Sequence, residues 1–195
     1  MSRVDEMEEA IKNYWNECIE AREAELCKHE DKLEKEFRQN LIILKDEQIK
    51  KQVDGKQKEI RYLYLCRLNS SVYTQSYELI LGMSSARLFM DEHKSMIYFC
   101  PYIIYESIDE DMEEVKKRLG KQFIRLQDYE LLCLKLRLLD KNWNLTKKYY
   151  QRMIEKSQDI IIAGPLRTER ELLILCGDYM DEMPVIKCIE NEREK

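Results

Sequence analysis

Glycine and proline are scarce in this chain, five and three residues among 195. So little glycine leaves no material for a phosphate-cradling loop, and the pattern of one is missing. Two histidines exclude a multi-histidine metal centre. There is no Gly-x-Ser-x-Gly, and neither histidine has a serine or cysteine beside it in a recognisable nucleophile setting. The seven cysteines, at 18, 27, 66, 100, 133, 176 and 188, are odd in number and never at Cys-x-x-Cys spacing. That spacing indicates neither a disulfide framework nor a zinc ribbon, and free thiols behaving as small buried hydrophobes are the simpler account. No apolar run approaches the ~20 residues of a membrane span. The N-terminus is acidic and lacks the apolar core of a signal peptide. These absences together predict a cytoplasmic protein without membrane contact, metal or cofactor, and lean away from an enzyme.

What is present is charge, 36% of residues, and it is unevenly spread. Residues 1–59 carry a net −4, 60–108 balance, 109–157 carry +3 and 158–195 carry −4, which recovers the total of −5. These breaks coincide with changes in hydrophobic period and mark segment boundaries. A negative chain disfavours wholesale nucleic-acid binding but leaves room for local patches.

Residues 4–53 hold no glycine or proline and are rich in Glu, Lys, Leu, Ala and Gln, which is helix composition. A seam with an eleven-residue period runs Ile11, Trp15, Cys18, Arg22, Leu26, His29, Leu33, Phe37, Asn40, Leu44, so it stays nearly straight or coils slightly right-handed. One helix would be ~75 Å long; a break near Lys28–Lys32 into a hairpin is the alternative, and Gly55 is the natural stop. From Ile60 to Leu68 the period changes to two. Asn69-Ser70-Ser71 reads as a turn, followed by a second strand with Tyr73, Tyr77, Leu79 and Leu81 on one face. Arg87–Met90 reads as a short strand, and Met96–Tyr105 as an edge strand or two pieces around Pro101. Together these make an antiparallel meander.

Beyond it, Ser107 with Glu110 forms a capping box for a helix ending near Gly120. Gln127–Lys141 alternates at Leu132, Leu134, Leu136 and Leu138, yet Tyr129, Leu132, Leu136 and Leu139 fit one helical face, and the composition favours helix. Asn144 caps a further helix through Ser157. The remainder reads as a strand at Asp159–Ala163, a helix at Glu169–Met180 capped by Thr168, and a strand at Val185–Ile189. The expected fold is α+β: a long N-terminal helix or helical hairpin, a small antiparallel meander, and C-terminal helices with a minor strand pair. The expected organisation is a charged, coiled-coil-like arm at 1–55, a globular domain at 56–190 and a frayed tail at 191–195.

Several clusters invite a chemical reading. Cys18 and His29 share a helical face but Cys27 lies roughly opposite, so the three cannot converge on a metal. Asp91-Glu92-His93-Lys94 reads as a solvated turn. Glu78, Glu92 and Lys94 imitate the paired carboxylates and lysine of a metal-dependent nuclease, but a turn is the wrong place for that motif. Gly164–Thr168 reads as a plain connection before a helix. Lys116–Lys156 holds 12 basic and 4 acidic residues interleaved with Phe123, Trp143, Tyr149 and Tyr150, a pattern suited to phosphate contact with base stacking; it also suits the solvated face of an amphipathic helix. Seven of the twelve tyrosines, 62, 64, 73, 77, 98, 102 and 105, fall in the meander, and tyrosine is favoured both in strands and at interfaces.

The seam of a charged arm needs a partner. The sequence therefore predicts a non-enzymatic protein-interaction protein that binds itself or another protein. The expected contact residues are Ile11, Trp15, Leu26, Leu33, Phe37 and Leu44 on the helix and Tyr73 and Tyr77 on the sheet. A nucleic-acid-binding accessory protein using 116–156 is the alternative, and a metal-dependent nuclease the third reading.

Overall fold

The computed structural model describes residues 2–191, and the chain is α+β. Its elements run α1 (Arg3–Lys28), α2 (Glu30–Val53), β1 (Ile60–Arg67), α3 (Ser71–Thr74), β2 (Leu79–Ser84), a 3₁₀ turn (Leu88–Met90), β3 (Ser95–Phe99), α4 (Tyr102–Tyr105), α5 (Ile108–Leu119), α6 (Asp128–Lys156), α7 (Gln158–Ile162), β4 (Thr168–Asp178) and β5 (Val185–Glu190). Two compact units result, residues 1–30 with 101–149 and residues 31–100 with 150–195. The arm expected at 1–55 does not coincide with either, because α1 belongs to the first unit and α2 from Asp31 to the second. The frayed tail expected at 191–195 lies, past Asn191, outside the described residues.

The first unit is helical. Ser2 starts α1 with a capping box: its Oγ accepts from the Asp5 N–H at 3.3 Å while its own N–H donates to the Asp5 carboxylate at 2.8 Å. Those bonds, with the Arg137 guanidinium, hold the Asp5 pKa down to about 2. Met7, Ile11, Trp15 and Leu26 of α1 are buried, as are Ile108, Val115 and Leu119 of α5 and Leu134 and Leu138 of α6. The expected cap at Ser107 does not form; its Oγ instead accepts from Arg22 Nη2 at 2.9 Å. The helix expected to end before Asn144 is continuous through it: α6 runs 29 residues, with Asn142 fully buried in its middle. Thr146 Oγ1 bonds back to the Asn142 carbonyl at 2.9 Å, which occupies that hydroxyl without breaking the helix.

In the second unit, α2 closes in a Schellman motif. Lys56 N–H donates to Lys51 O at 2.9 Å and Gly55 N–H to Gln52 O at 3.2 Å, with Gly55 at φ 71°. Buried Gln52 then ties the helix end to two strand starts, its Nε2 donating to the carbonyls of Lys58 (2.5 Å) and Arg167 (2.7 Å) and its Oε1 accepting from Arg167 N–H (2.8 Å). The sheet has the order β3-β2-β1-β4-β5, with β1 antiparallel to β2 and parallel to β4. The meander is thus β1-β2-β3, and the strand pair is larger than expected, since β4 covers 11 residues. Register places Tyr62, Tyr64 and Cys66 on one face with Ser84, Gly82 and Ile80, and with Leu173, Leu175 and Gly177. Tyr64, Cys66, Ile80 and Leu175 form a core there, covered by Phe89, Tyr179 and Met183. The Tyr64 ring lies across Gly82, where a Cβ would come within 2.2 Å of it. Leu63, Leu65, Leu81 and Ile174 are buried on the other face.

Five assignments change, and the first is the piece beyond Pro101, which is the helix α4 (Tyr102–Tyr105) and not strand. Tyr73 and Tyr77 are not in a strand, because α3 and two left-handed residues, Gln75 and Tyr77, delay β2 until Leu79. Arg87–Met90 is a 3₁₀ turn. Asp159–Ala163 lies largely in α7, whose terminal carbonyls, Ile160 and Ala163, accept from Lys45 Nζ. Residues 169–178 form β4 rather than a helix, since Leu172–Cys176 is the unbroken apolar run of a strand covered on both faces.

Candidate interaction surfaces

The six seam residues expected to meet a partner, Ile11, Trp15, Leu26, Leu33, Phe37 and Leu44, are all buried, between 0 and 7% exposed. Their apolar periodicity is satisfied inside the folded chain. Phe37, for instance, meets Tyr150 edge to face, ring centroids 6.0 Å apart. The helix breaks at His29, within the expected window, where the backbone turns to φ −106°, ψ 17°. Of the two sheet tyrosines, Tyr77 is buried and Tyr73 is 72% exposed.

The basic segment meets acidic neighbours within its own units. Arg137 bonds Asp5 at 2.9 Å and Glu8 at 2.6 Å, Lys141 approaches Glu8 at 3.5 Å and Lys148 approaches Glu23 at 3.9 Å. Lys135 pairs with Asp109 at 2.7 Å and Lys156 with Glu34 at 3.1 Å. Lys147 lies over the Trp143 ring and Lys141 over that of Trp15. The aromatic residues interleaved with the charges are thereby partly spoken for: Trp143 and Tyr150 are buried and not presented to a base. The acidic N-terminal segment and the basic later one are complementary halves, a relation that regional charge sums contain but do not announce.

Of the nuclease-like trio, Lys94 is engaged within its own loop. Lys94 Nζ donates to the carbonyls of Phe89 (3.1 Å) and Asp91 (3.2 Å), fastening its own loop. Asp91 is buried and organises a polar cleft of about 560 Å³. Its carboxylate accepts from Gln57 Nε2, from the Ser85 N–H at 2.7 Å and from the His93 N–H at 3.0 Å, one donor from each of three lining segments. Burial alone would raise the Asp91 pKa, but the backbone and side-chain donors outweigh it and hold the pKa below the ordinary carboxylate value. Cations (Lys56, Lys58, Arg87) and carboxylates (Glu59, Asp91, Glu92, Glu169) both line the cleft, so it carries charge of both signs. Among the described residues, no three His, Cys, Asp or Glu side chains gather to hold a metal, and no helix is long and apolar enough to cross a membrane.

Apolar side chains are exposed in both units. In the second unit, Met96 and Tyr98 project from β3, an outer strand of the sheet; Tyr98 is 55% exposed, and Met90 in the preceding turn is 83% exposed. In the first unit, Tyr129, Leu132, Cys133 and Leu136 face outward from α6. Tyr98 stood among the sequence's clustered tyrosines; what singles it out is its place on an edge strand, which depends on strand order. Comparison with protein-family models, with curated proteins and with solved structures finds no match.

Proposed function

We propose that the chain is a protein-interaction protein that receives an extended segment of another protein along β3. The carrying observation is the contrast between the sheet's two edges. β5 bears Lys187 and Glu190, charges of the kind that blunt a sheet edge against strand addition. The segment Ser95–Phe99 bears no charge, and Met96 and Tyr98, on the face they share with Gly82 and Ile80, are exposed at this edge. An added strand supplies main-chain hydrogen bonds to such an edge, and alternate side chains give it specificity. The seven cysteines, all free, favour the cytoplasm as its compartment.

The test is quantitative affinity capture with the full chain from its native cells. Met96→Lys together with Tyr98→Lys should lower recovery of a specific protein by about tenfold or more, the equivalent of ~1.4 kcal/mol. Val185→Lys on β5 should leave recovery unchanged. Equal recovery with both variants would remove β3 as the contact.

A further inference from the structure

The turn between α5 and α6 carries an apolar tip of its own, in a different unit from β3. Ile124 is 85% exposed, more than any other large hydrophobic side chain among the described residues. Its backbone is nonetheless fixed from behind. Arg3 Nη2 donates to the Ile124 carbonyl at 2.7 Å and to that of Arg125 at 3.3 Å, and Arg3 Nε meets buried Glu130 at 3.3 Å. Glu130 also accepts from the Gln127 N–H at 2.9 Å, and the Phe123 N–H donates to Leu119 O at 2.8 Å. The turn is therefore held closed while Ile124 stands out of it, with Arg125 left-handed at φ 57°. The outward stripe on α6 then begins at Tyr129, 63% exposed, and continues through Leu132 and Leu136. Charge around the tip has one sign. Residues 116–127 hold five cations, Lys116, Lys117, Arg118, Lys121 and Arg125, and no carboxylate. Adding the two nearest carboxylates in sequence, Glu114 and exposed Asp128, leaves a net +3. Glu114 bonds Arg118 at 2.9 Å, whereas exposed Lys121 and Arg125 meet no carboxylate among the described residues.

We propose that this turn attaches the protein to an anionic bilayer surface, Ile124 entering the apolar boundary and Lys121 and Arg125 resting among the negative headgroups. The expectation of no membrane contact rests on the lack of a spanning segment, which surface attachment does not need. The whole chain carries −5, but at physiological ionic strength fields decay over ~8 Å. An approaching surface therefore meets the local excess and not the sum. The bilayer offers negative groups outside and hydrocarbon beneath, the two chemistries that the flanking cations and the projecting side chain require. A nucleic acid fits less well. Bases are held by stacking on aromatic rings, whereas the apex here is a branched aliphatic side chain, which gains only by leaving water. Cytoplasmic leaflets carry the anionic lipid, in keeping with the compartment proposed above. One isoleucine and two cations make the attachment weak, reversible and dependent on lipid charge.

Co-sedimentation of the full chain with vesicles of phosphatidylcholine and phosphatidylserine, at about seven to three, reads the attachment. Partition should fall about tenfold or more on vesicles of phosphatidylcholine alone. Ile124→Asp should lower partition onto the mixed vesicles about tenfold or more. Lys121→Gln with Arg125→Gln should do the same, since each cation near an anionic surface contributes roughly fivefold. Val53→Asp, which adds the same charge at another exposed apolar position, should leave partition unchanged. Ile124→Trp should keep it, and the new indole's emission should shift to the blue on the mixed vesicles. Trp15 and Trp143 are buried and should contribute a constant background. Far-UV circular dichroism confirms that each variant is folded. No partition onto the mixed vesicles, or equal partition onto phosphatidylcholine alone, overturns the proposal. Partition indifferent to Ile124→Asp or to the paired glutamines overturns it as well. Binding of polyuridylic acid that needs Lys121 and Arg125, without partition onto vesicles, would assign the cations to a nucleic acid instead.

Discussion

The two units bury charge in opposite ways. In the first, the Arg22 guanidinium, 5% exposed, meets the Asp111 carboxylate and Ser107 Oγ through Nη2 alone, while its Nε and Nη1 have no partner. Asp111 also accepts from Tyr14 OH at 3.1 Å and Cys18 Sγ at 3.5 Å. In the second unit, the Asp91 carboxylate faces no cation among its bonded partners; two backbone N–H groups and an amide solvate it. One arrangement is a charge held by an opposite charge, the other a charge held by dipoles. The first relies on a single residue at each end and tolerates loss of neither. The second is distributed over three chain segments, so it reports whether those segments are closed around it.

Breaking the ion pair is the largest effect expected. Asp111→Ala leaves a buried, uncompensated guanidinium and should cost about 3–5 kcal/mol in urea unfolding. Replacing both partners, Arg22→Met with Asp111→Leu, should recover most of that loss, because two desolvation penalties and two orphaned nitrogens vanish together. A cost below ~1 kcal/mol for Asp111→Ala would mean that the pair is hydrated, and the contrast between the units would collapse.

The second unit holds an unsatisfied polar atom as well, and it lies in apolar packing rather than in an ion pair. Tyr64 OH is buried without a partner, and burial drives its pKa far up. Tyr64→Phe should leave stability unchanged or raise it by up to about 1 kcal/mol, since the lost hydroxyl bonds nothing. Gly82→Ala should instead destabilise by about 3 kcal/mol, because the new Cβ has to displace a ring packed against Phe89, centroids 5.8 Å apart. Thermal unfolding of the two variants side by side separates the readings. Loss of stability in Tyr64→Phe would reveal a hydrogen bond to that hydroxyl, and the sheet core would then be polar in the manner of the first unit.

How much of this was legible in the sequence depends on whether a signal is local. The break at His29 (the alternative to one long helix), the stop at Gly55 and the start of β1 at Ile60 follow from local composition and backbone freedom; the strand before Pro101 ends where expected, but the helix α4 follows it rather than a second strand piece. Residues 168–178 failed because Thr168 and Glu171 imitate a capping box before a leucine-rich stretch, whereas the deciding fact, coverage of both strand faces, is tertiary. Asp159–Ala163 failed similarly: its three isoleucines favour a strand, but a short helix whose terminal carbonyls bind Lys45 prevails. Asn144 read as the cap of a new helix because asparagine competes with helix interiors and favours their starts; in place it lies inside the continuous α6. For the surfaces, periodicity identified Ile11, Trp15, Leu33 and Phe37 as apolar positions. It carries no information on whether the covering groups come from the same chain. The stripe on α6 was half visible: Tyr129, Leu132 and Leu136 shared the face, but Leu139, placed with them, is buried.

The smallest effect expected is a pH dependence that sharpens the contrast at Asp91. Its folded pKa lies below the ordinary value of 3.8, so folding favours the ionised form. The sign follows: the stabilisation is complete above the unfolded value, and it is lost as pH falls from near 3.8 through the lower folded value. Protonation withdraws acceptor capacity from three donors at once, so the loops ending at Gln57, Ser85 and His93 should loosen together. Amide hydrogen exchange, corrected for the intrinsic rate at each pH, should therefore show the Ser85 and His93 N–H groups losing protection in that window. Asp91→Asn should remove the dependence while leaving the sheet amides of β1 and β2 protected. Asp5 provides the counterpart in the first unit, since its pKa of about 2 comes chiefly from the Ser2 cap and secondarily from Arg137. Asp5→Asn should shift acid sensitivity only in the first turn of α1. If Ser85 and His93 keep their protection down to pH 2, the carboxylate is not what closes the three segments, and the distributed arrangement inferred for the second unit is wrong.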